Sequence, residues 1–238
     1  MNSTPNSTPT RHHRGAERRG LALAATALLS FGAVACSAET STSPETSTIP
    51  ATGAGAEERS WAGVALTDDE VAGLLWIREE EQLAHDVYTT LGQIWDVRIF
   101  ENIASSERSH IDAALRVLDN YGIEDPAAGN ELGTFTEPQI QALYDQLVAD
   151  GSGSLVAALQ VGALIEELDI TDLRLRSSAT EVDTLAGLYA NLEKGSRNHL
   201  RAFTSQLEAR DVVYEPTQLD VDDYEMIVSS PTERGHDA

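Results

Sequence analysis

Glu107 and His110 have the residue types and the spacing to bind a metal ion. Residues three apart in an α-helix lie on the same side of one turn, so this carboxylate and this imidazole can converge on one point. Carboxylate oxygens and imidazole nitrogens are ligands of first-row metals. The Glu-x-x-His string alone is weak evidence, because residues 233–236 repeat it in a stretch with no helical periodicity.

The helix predicted around this pair, residues 100–121, places both side chains in an apolar stripe. The stripe recurs at steps of three and four and consists of Phe100, Ile103, Glu107, His110, Ala114, Val117 and Tyr121. Such a stripe is the core-facing side of an amphipathic helix. A buried charge without a partner costs several kcal/mol, so the two polar side chains must meet a counter-charge or a metal ion.

Three further amphipathic helices each place one potential ligand among apolar residues. The sequence predicts Glu81 in residues 67–91, Glu166 in residues 154–175 and His199 in residues 180–209. Four helices that each contribute a carboxylate or an imidazole at mid-length match the arrangement of metal-binding helical bundles. The predicted fold is therefore an all-α bundle with five converging ligands.

Neighbouring polar residues are placed by the same periodicity. Glu166 fits its stripe better than Glu167, which shares a face with polar residues. Glu79 and Glu80 are predicted on the flanks of the first helix, with Glu80 as a weaker candidate ligand. His85 is also expected on a flank.

The connections predict how the helices run. Residues 123–153 form a long link with one short predicted helix at 138–148. A long crossover lets the second and third main helices run parallel, whereas short links give antiparallel neighbours. Tyr224, Ile227 and Val228 predict one more short helix near the end of a folded domain that spans residues 61–228.

Four segments resemble the ferritin-like superfamily: REEEQLAHDVY (78–88), NIASSERSHIDA (102–113), VGALIEELDITDL (161–173) and GSRNHLRAF (195–203). On these segments the chain is identified as a member of the family known as domain of unknown function 2202. Glu81, Ala84 and Tyr88 are similar to the Glu-x-x-Ala-x-x-x-Tyr pattern of rubrerythrin-like proteins. The resemblance implies a ferritin-like four-helix bundle, a carboxylate-bridged site for one or two iron ions with manganese as the alternative, and oxygen or peroxide chemistry.

The fourth main helix departs from that pattern. Where the superfamily has a second Glu-x-x-His, this chain has Ser196 three residues before His199. Glu193 lies about 120° away around the helix and cannot simply substitute. The open alternatives are a water held by Ser196, a contribution from Asp169, or a single bound metal.

The predicted function is that of an exported metal-binding protein, an iron or manganese oxidoreductase of the ferroxidase or peroxidase type. The alternative is a non-catalytic metal-binding or structural helical bundle at the cell surface. The incomplete set of carboxylates on the fourth helix leaves both interpretations open.

The N-terminal region has the pattern of an export signal. Residues 1–36 combine basic residues, an uncharged stretch over 21–35 and the single cysteine, Cys36, in a context that resembles the lipobox of bacterial lipoproteins. Arg18 and Arg19 also resemble a twin-arginine signal, so the general secretory and twin-arginine routes both remain open. We expect a lipid-anchored protein on the outer face of the bacterial membrane, with plain secretion as the alternative.

Composition limits the partners. The net charge of −23 repels nucleic acid and anionic lipid. If Cys36 is acylated or removed, the mature chain has no thiol for disulfides or thiolate metal sites. A disordered linker is expected over 37–60 and a disordered tail over 229–238. The expected partners are metal ions and, through the lipid, the membrane, and a homodimer is compatible with the pattern.

Overall fold

The structure, a computed structural model, describes residues 60–234. It contains six helices: α1 (Asp68–Trp95), α2 (Arg98–Asn120), α3 (Pro138–Gly151), α4 (Leu155–Ala179), α5 (Asp183–Glu208) and α6 (Val221–Ser229). Two strands of two residues each, β1 (Ser60–Trp61) and β2 (Val64–Ala65), pair antiparallel just before α1. The prediction of an all-α bundle is thus confirmed for this part of the chain. Cys36, the predicted signal and most of the predicted linker lie outside the described residues.

Helix α1 begins at a capping box formed by Thr67 and Glu70. The Thr67 side chain accepts a hydrogen bond from the Glu70 backbone N–H, and the Glu70 carboxylate accepts one from the Thr67 N–H at 2.8 Å. This exchange satisfies two backbone donors that a helix start leaves free. The helix ends at Asp96, whose φ of 50° turns the chain directly toward α2.

The four long helices form a ring in the order α1, α2, α5, α4. Contacts along α1 and α4 run in opposite chain directions, since Glu70 meets Thr180 and Trp76 meets Asp172. Because α1 and α2 are joined by a two-residue link, α2 and α4 run parallel, as the long crossover predicts. That crossover contains α3, which packs on both α1 and α4.

Apolar side chains fill the bundle on either side of its middle. Toward the start of α1, Leu74 and Ile77 pack with residues of the other long helices, among them Leu118, Leu173 and Leu192. Toward the other end, the rings of Tyr88, Phe100 and Phe203 pack with centroids 5.2 to 6.5 Å apart. Along each long helix the predicted ligands fall between these two apolar layers. None of the helices within residues 60–234 is long and apolar enough to cross a membrane.

Four consecutive charged residues of α1, from Arg78 to Glu81, are all buried. Glu79 and Glu80, which the sequence predicts on the flanks of this helix, are thus as buried as its core-facing residues. Helix α1 has neighbours on three sides, α2, α3 and α4, so every side of its middle meets protein. Each charged side chain has a different partner. Arg78 donates to Asp125 at 3.0 Å, and Glu79 accepts from the N–H groups of Thr136 and Glu137. Glu80 lies beside Asp172, and Glu81 faces α2.

Glu167 holds the chain that follows α5. Its carboxylate accepts hydrogen bonds from the Tyr214 hydroxyl and from three successive backbone N–H groups, of Thr217, Gln218 and Leu219, at 2.8 to 2.9 Å. Backbone N–H groups that face the protein interior need acceptors, and one buried carboxylate satisfies all three here. The carboxylate therefore fixes the turn that leads into α6.

The residues after α6 are also held against the bundle, although the sequence predicts a loose tail from residue 229. Glu233 accepts from Arg197 at 2.6 Å and from Arg201 at 2.9 Å, and its backbone exchanges hydrogen bonds with Asn198. Arginine and carboxylate pair strongly because several donors meet two acceptor oxygens. The predicted tail is thus attached up to Glu233, and residues 235–238 lie outside the described part.

We expect the substitution Glu167→Gln to lower the free energy of unfolding by about 1.5–3 kcal/mol, because an amide places an NH₂ donor against backbone N–H groups and removes the charge. Urea denaturation measures this change. The matched control is Glu215→Gln at an exposed position of the same segment, which should change the free energy by less than about 0.5 kcal/mol. Equal effects of the two substitutions would contradict the role given to Glu167.

Candidate metal centre

The structure brings all five sequence-predicted ligands to one place in the middle of the bundle. They form two groups that could each hold a metal ion: Glu81, Glu107 and His110, which we call the His110 half, and Glu107, Glu166 and His199, which we call the His199 half. Within each half the ligand atoms lie within 4.8 Å of one another. Glu107 belongs to both halves.

Glu107 contacts an imidazole with each of its oxygens. Oε2 lies 2.7 Å from Nδ1 of His110, and Oε1 lies 2.7 Å from Nδ1 of His199. In the His110 half, Oε2 of Glu81 lies 3.0 Å from the same Nδ1 of His110. In the His199 half, Oε2 of Glu166 lies 3.5 Å from Nδ1 of His199. The shared carboxylate thus has the geometry of a bridging ligand.

Three buried atoms of the His199 half have no hydrogen-bond partner among the described residues. They are Oε1 of Glu107, Oε2 of Glu166 and Nδ1 of His199. The close approach of Nδ1 to Oε1 is therefore a contact without the direction of a hydrogen bond. Each buried polar group left unpaired costs about 1–3 kcal/mol. Two carboxylate oxygens and an imidazole nitrogen that converge without hydrogen-bond partners can bind a cation in exchange for the imidazole proton, so the residues present fit a metal ion.

Burial and neighbouring charges set the protonation of the centre without a metal. Burial raises the pKa of Glu81 to about 7, although the charge of His110 opposes the shift. Burial lowers the pKa of His199, but Glu107 and Glu166 more than offset it and raise this pKa to about 10. Burial also acts to raise the pKa of Glu107, yet the two imidazoles leave it below its usual value. In the metal-free protein, protonated imidazoles therefore supply the positive charge that a metal ion would otherwise supply.

Contacts outside the two halves orient some of the ligands. The Tyr88 hydroxyl donates to Oε1 of Glu166 at 2.5 Å, and Nε2 of His199 lies 2.9 Å from the Ser106 hydroxyl. A partner at Nε2 fixes the ring so that Nδ1 faces the carboxylates. On the other side, the ring of His110 lies against Gly195, where a Cβ atom would come within 2.4 Å of Cε1.

The helix α5 position that lacks a carboxylate is filled by Ser196, which is buried and donates to the Leu192 carbonyl at 3.2 Å. Glu193 pairs with Arg174 and Arg197 instead of facing the centre. Asp169 is the buried carboxyl group beside the cluster: burial and then the charge of Glu81 raise its pKa well above the usual value. Its Oδ2 atom has no hydrogen-bond partner within residues 60–234.

Two neighbouring residues take other partners. Glu167 faces residues 214–219, and Nδ1 of His85 lies 2.7 Å from Asp86. Ser106 and Gly195 were not predicted from the sequence. Ser106 lies in a run of polar residues that gives no periodic signal, whereas a glycine inside a predicted helix costs about 1 kcal/mol and so signals close packing.

A cavity of about 390 Å³ lies at the end of the bundle where α1 meets α2. Its lining includes Tyr88 and Ala104 together with the more polar Gln93, Arg98 and Glu101. Tyr88 both lines this cavity and donates to Glu166. Tyr88 therefore connects the wall of this cavity to a ligand of the His199 half.

Most of the described chain matches a known protein family. Residues 70–231 match the family described as an uncharacterized protein domain, DUF2202, and this range contains all five candidate ligands. The chain belongs to the DUF2202 family. The uncharacterized protein MJ0754 of Methanocaldococcus jannaschii is 45% identical over 170 residues, which are 71% of this chain and 92% of that protein.

A crystal structure of this hypothetical protein from Methanococcus jannaschii supports the same helical fold. It matches the present structure with a TM-score of 0.71 at 44% identity, over 73% of this chain and 99% of that one. The DUF2202 fold is thus shared at high sequence identity across almost the full length of the archaeal chain.

We expect the metal-free protein to lose stability as the pH rises from about 5 to about 10. The pKa of Glu81 is raised from 4.5 to about 7, so its ionisation costs folding free energy between these values. The pKa of His199 is raised from 6.5 to about 10, so its stabilising charge is present below pH 6.5 and lost as the pH approaches 10. Thermal unfolding of chelator-treated protein across this range measures the trend.

The substitution His199→Gln is the control for this trend, because it removes one of the two imidazoles with a raised pKa and should make the dependence between pH 7 and about pH 10 less steep. Bound metal should reverse its sign, since a metal ion competes with the same protons. A melting temperature of the metal-free protein that stays constant or rises with pH would show that these charges are not coupled as the structure indicates.

Proposed function

We propose that this chain is a ferritin-like metal protein that binds two divalent ions, iron or manganese, between α1, α2, α4 and α5. The observation that carries the proposal is Glu107, whose two oxygens lie 2.7 Å from two different imidazoles. The contact between Nδ1 of His199 and Oε1 of Glu107 is an ion pair in the metal-free protein, but among the described residues it lacks the direction of a hydrogen bond, which favours a metal position over a purely structural network. Glu107 would then hold an ion in each half, one with each oxygen.

The charges near the centre support two divalent ions. Glu81, Glu107, Glu166 and the neighbouring Asp169 are four buried carboxyl groups. With neutral imidazoles, four carboxylates balance the charge of two divalent cations. Oxygen-rich sets with two imidazoles and no thiolate suit iron or manganese.

The proposed activity is that of a ferroxidase- or peroxidase-type oxidoreductase. Iron or manganese bound in the two halves would supply electron exchange with dioxygen or peroxide. Burial and then the charge of Glu166 raise the pKa of Tyr88 well above its usual value, so its hydroxyl keeps a proton and orients that carboxylate. The cavity at Tyr88 and Ala104 gives a small reactant a path to this wall of the centre.

A second candidate function is metal binding without turnover. Ser196 is the observation that favours it, because this residue replaces a carboxylate and its hydroxyl is hydrogen-bonded within α5. Asp169 favours the redox function, because it places another buried carboxyl group beside the centre. The two candidates differ in what the metal-loaded protein does with peroxide.

We expect the full-length wild type to bind two Mn²⁺ or Fe²⁺ ions per chain, Glu107→Ala to bind none, and His110→Ala to bind one. The reason is that Glu107 serves both halves, whereas His110 serves one. Equilibrium dialysis followed by elemental analysis measures the stoichiometry. Unchanged metal content in both variants would refute the proposed site.

Asp112→Ala, at an exposed position of the same helix, is the matched control and should leave both ions bound. The same preparations separate the two candidate functions. An iron-loaded wild type whose absorption spectrum changes on addition of peroxide, with peroxide consumed, supports the oxidoreductase. Retained iron without peroxide consumption supports the non-catalytic protein.

We further propose that the chain is exported and anchored to the outer face of the bacterial membrane by lipid on Cys36. The support is the order of basic, uncharged and small residues before Cys36. We expect cells that express the wild type to incorporate labelled palmitate into the protein, and Cys36→Ala to abolish the label and the membrane association. A label that persists in Cys36→Ala would rule out this anchor.

A further inference from the structure

The two halves of the centre are supported to different degrees. In the His199 half, Tyr88 donates to Glu166 and Ser106 contacts the far nitrogen of His199. Two of its three ligands are thereby oriented by side chains that do not themselves face the metal position. Glu166 is fully buried. Ligands held in this way need little rearrangement when an ion binds.

The His110 half rests on a closer steric fit and on fewer outside contacts. The hydrogen bond of Glu81 within the described residues is to His110 itself. Compared like for like, its ligands are slightly more exposed: the His110 side chain is 14% exposed against 10% for His199, and Glu81 is 2% exposed whereas Glu166 is fully buried. The ring of His110 lies where a Cβ on residue 195 would be, 2.5 Å from its Nε2 and 2.4 Å from its Cε1. Its position therefore depends on the missing side chain of Gly195.

From this asymmetry we propose that the two halves bind metal with unequal affinity. The His199 half holds a resident ion, and the His110 half holds a weaker, exchangeable ion whose site exists only because residue 195 is glycine. Gly195 is a positioning residue for His110, and Ser106 is one for His199. The inference rests on the proposed function and adds the order of binding: the resident ion first, the exchangeable ion second.

The exchangeable ion is then the one suited to be a reactant. Its imidazole, His110, is slightly more exposed than His199, at 14% against 10% of the side chain, and fewer outside contacts orient its ligands, so an ion enters and leaves this half more readily. The resident ion, enclosed by Glu166 and His199, stays in place and keeps Glu107 oriented for the next ion. The chemical class of the exchangeable ligand is a divalent first-row cation.

Titration of the metal-free full-length protein with Mn²⁺ tests the proposal, with the electron paramagnetic resonance signal of free Mn²⁺ as the readout. We expect two binding steps whose dissociation constants differ by at least about tenfold. Gly195→Ala should weaken the second step by about 10–100-fold and leave the first unchanged. Ser106→Ala should weaken the first step by a similar factor.

Each variant has a matched control on the same helix. Gly187→Ala adds the same methyl group to α5 at an exposed position with nothing within 4 Å, and Ser105→Ala removes a hydroxyl from an exposed position of α2. Both controls should bind Mn²⁺ as the wild type does. If Gly195→Ala fails to fold, as circular dichroism would show, His110→Ala replaces it and should leave only the tight step.

The outcomes separate this inference from the function on which it rests. A wild type that binds no Mn²⁺ or Fe²⁺ would refute the proposed metal centre itself. Two ions bound with equal affinity, or a Gly195→Ala variant that weakens both steps alike, would refute the unequal halves and leave the metal centre intact.

Discussion

The contact of one buried carboxylate with two imidazoles is the interaction on which the rest of the centre depends. Glu107 lies between His110 and His199, and it is almost completely buried. A charged side chain in a low-dielectric interior is tolerated only beside groups that compensate its charge, because an isolated charge would lose its hydration without compensation. The four long helices must therefore keep their relative positions along the bundle axis so that these side chains meet. The apolar layers on either side of the ligands fix those positions.

The same rule explains why so many other acidic residues are buried in this bundle. Glu79 and Glu167 accept backbone N–H groups from segments between helices, and so each one attaches a connection to the helical core. Glu80 lies beside Asp172, and burial followed by this like charge raises its pKa well above the usual value. Buried carboxylates thus have two separate tasks here: some hold the chain, and others face the candidate metal positions.

Helix α5 gives the centre its particular character. It provides His199, but at the preceding turn it presents Gly195 and Ser196, which have no carboxylate. Gly195 leaves room for the ring of His110, so the absence of a side chain is itself a structural contribution. The centre is consequently richer in carboxylate from α1 and α4 than from α5, with Asp169 next to Glu166 on α4. The two halves are therefore different in both burial and support.

The sequence by itself determined the helices, their amphipathic stripes and the five side chains that meet. Periodicity suffices for these, because a carboxylate or imidazole in an apolar stripe can only face the core. Tertiary structure alone decided which other polar residues are buried, because α1 is covered not only by the adjacent α2 but also by α3 and α4, which are distant in sequence. It also decided that Ser106 and Gly195 orient the imidazoles. Those contacts join residues of α2 and α5 that are more than 80 positions apart in the sequence, and local sequence patterns do not predict contacts over such a separation.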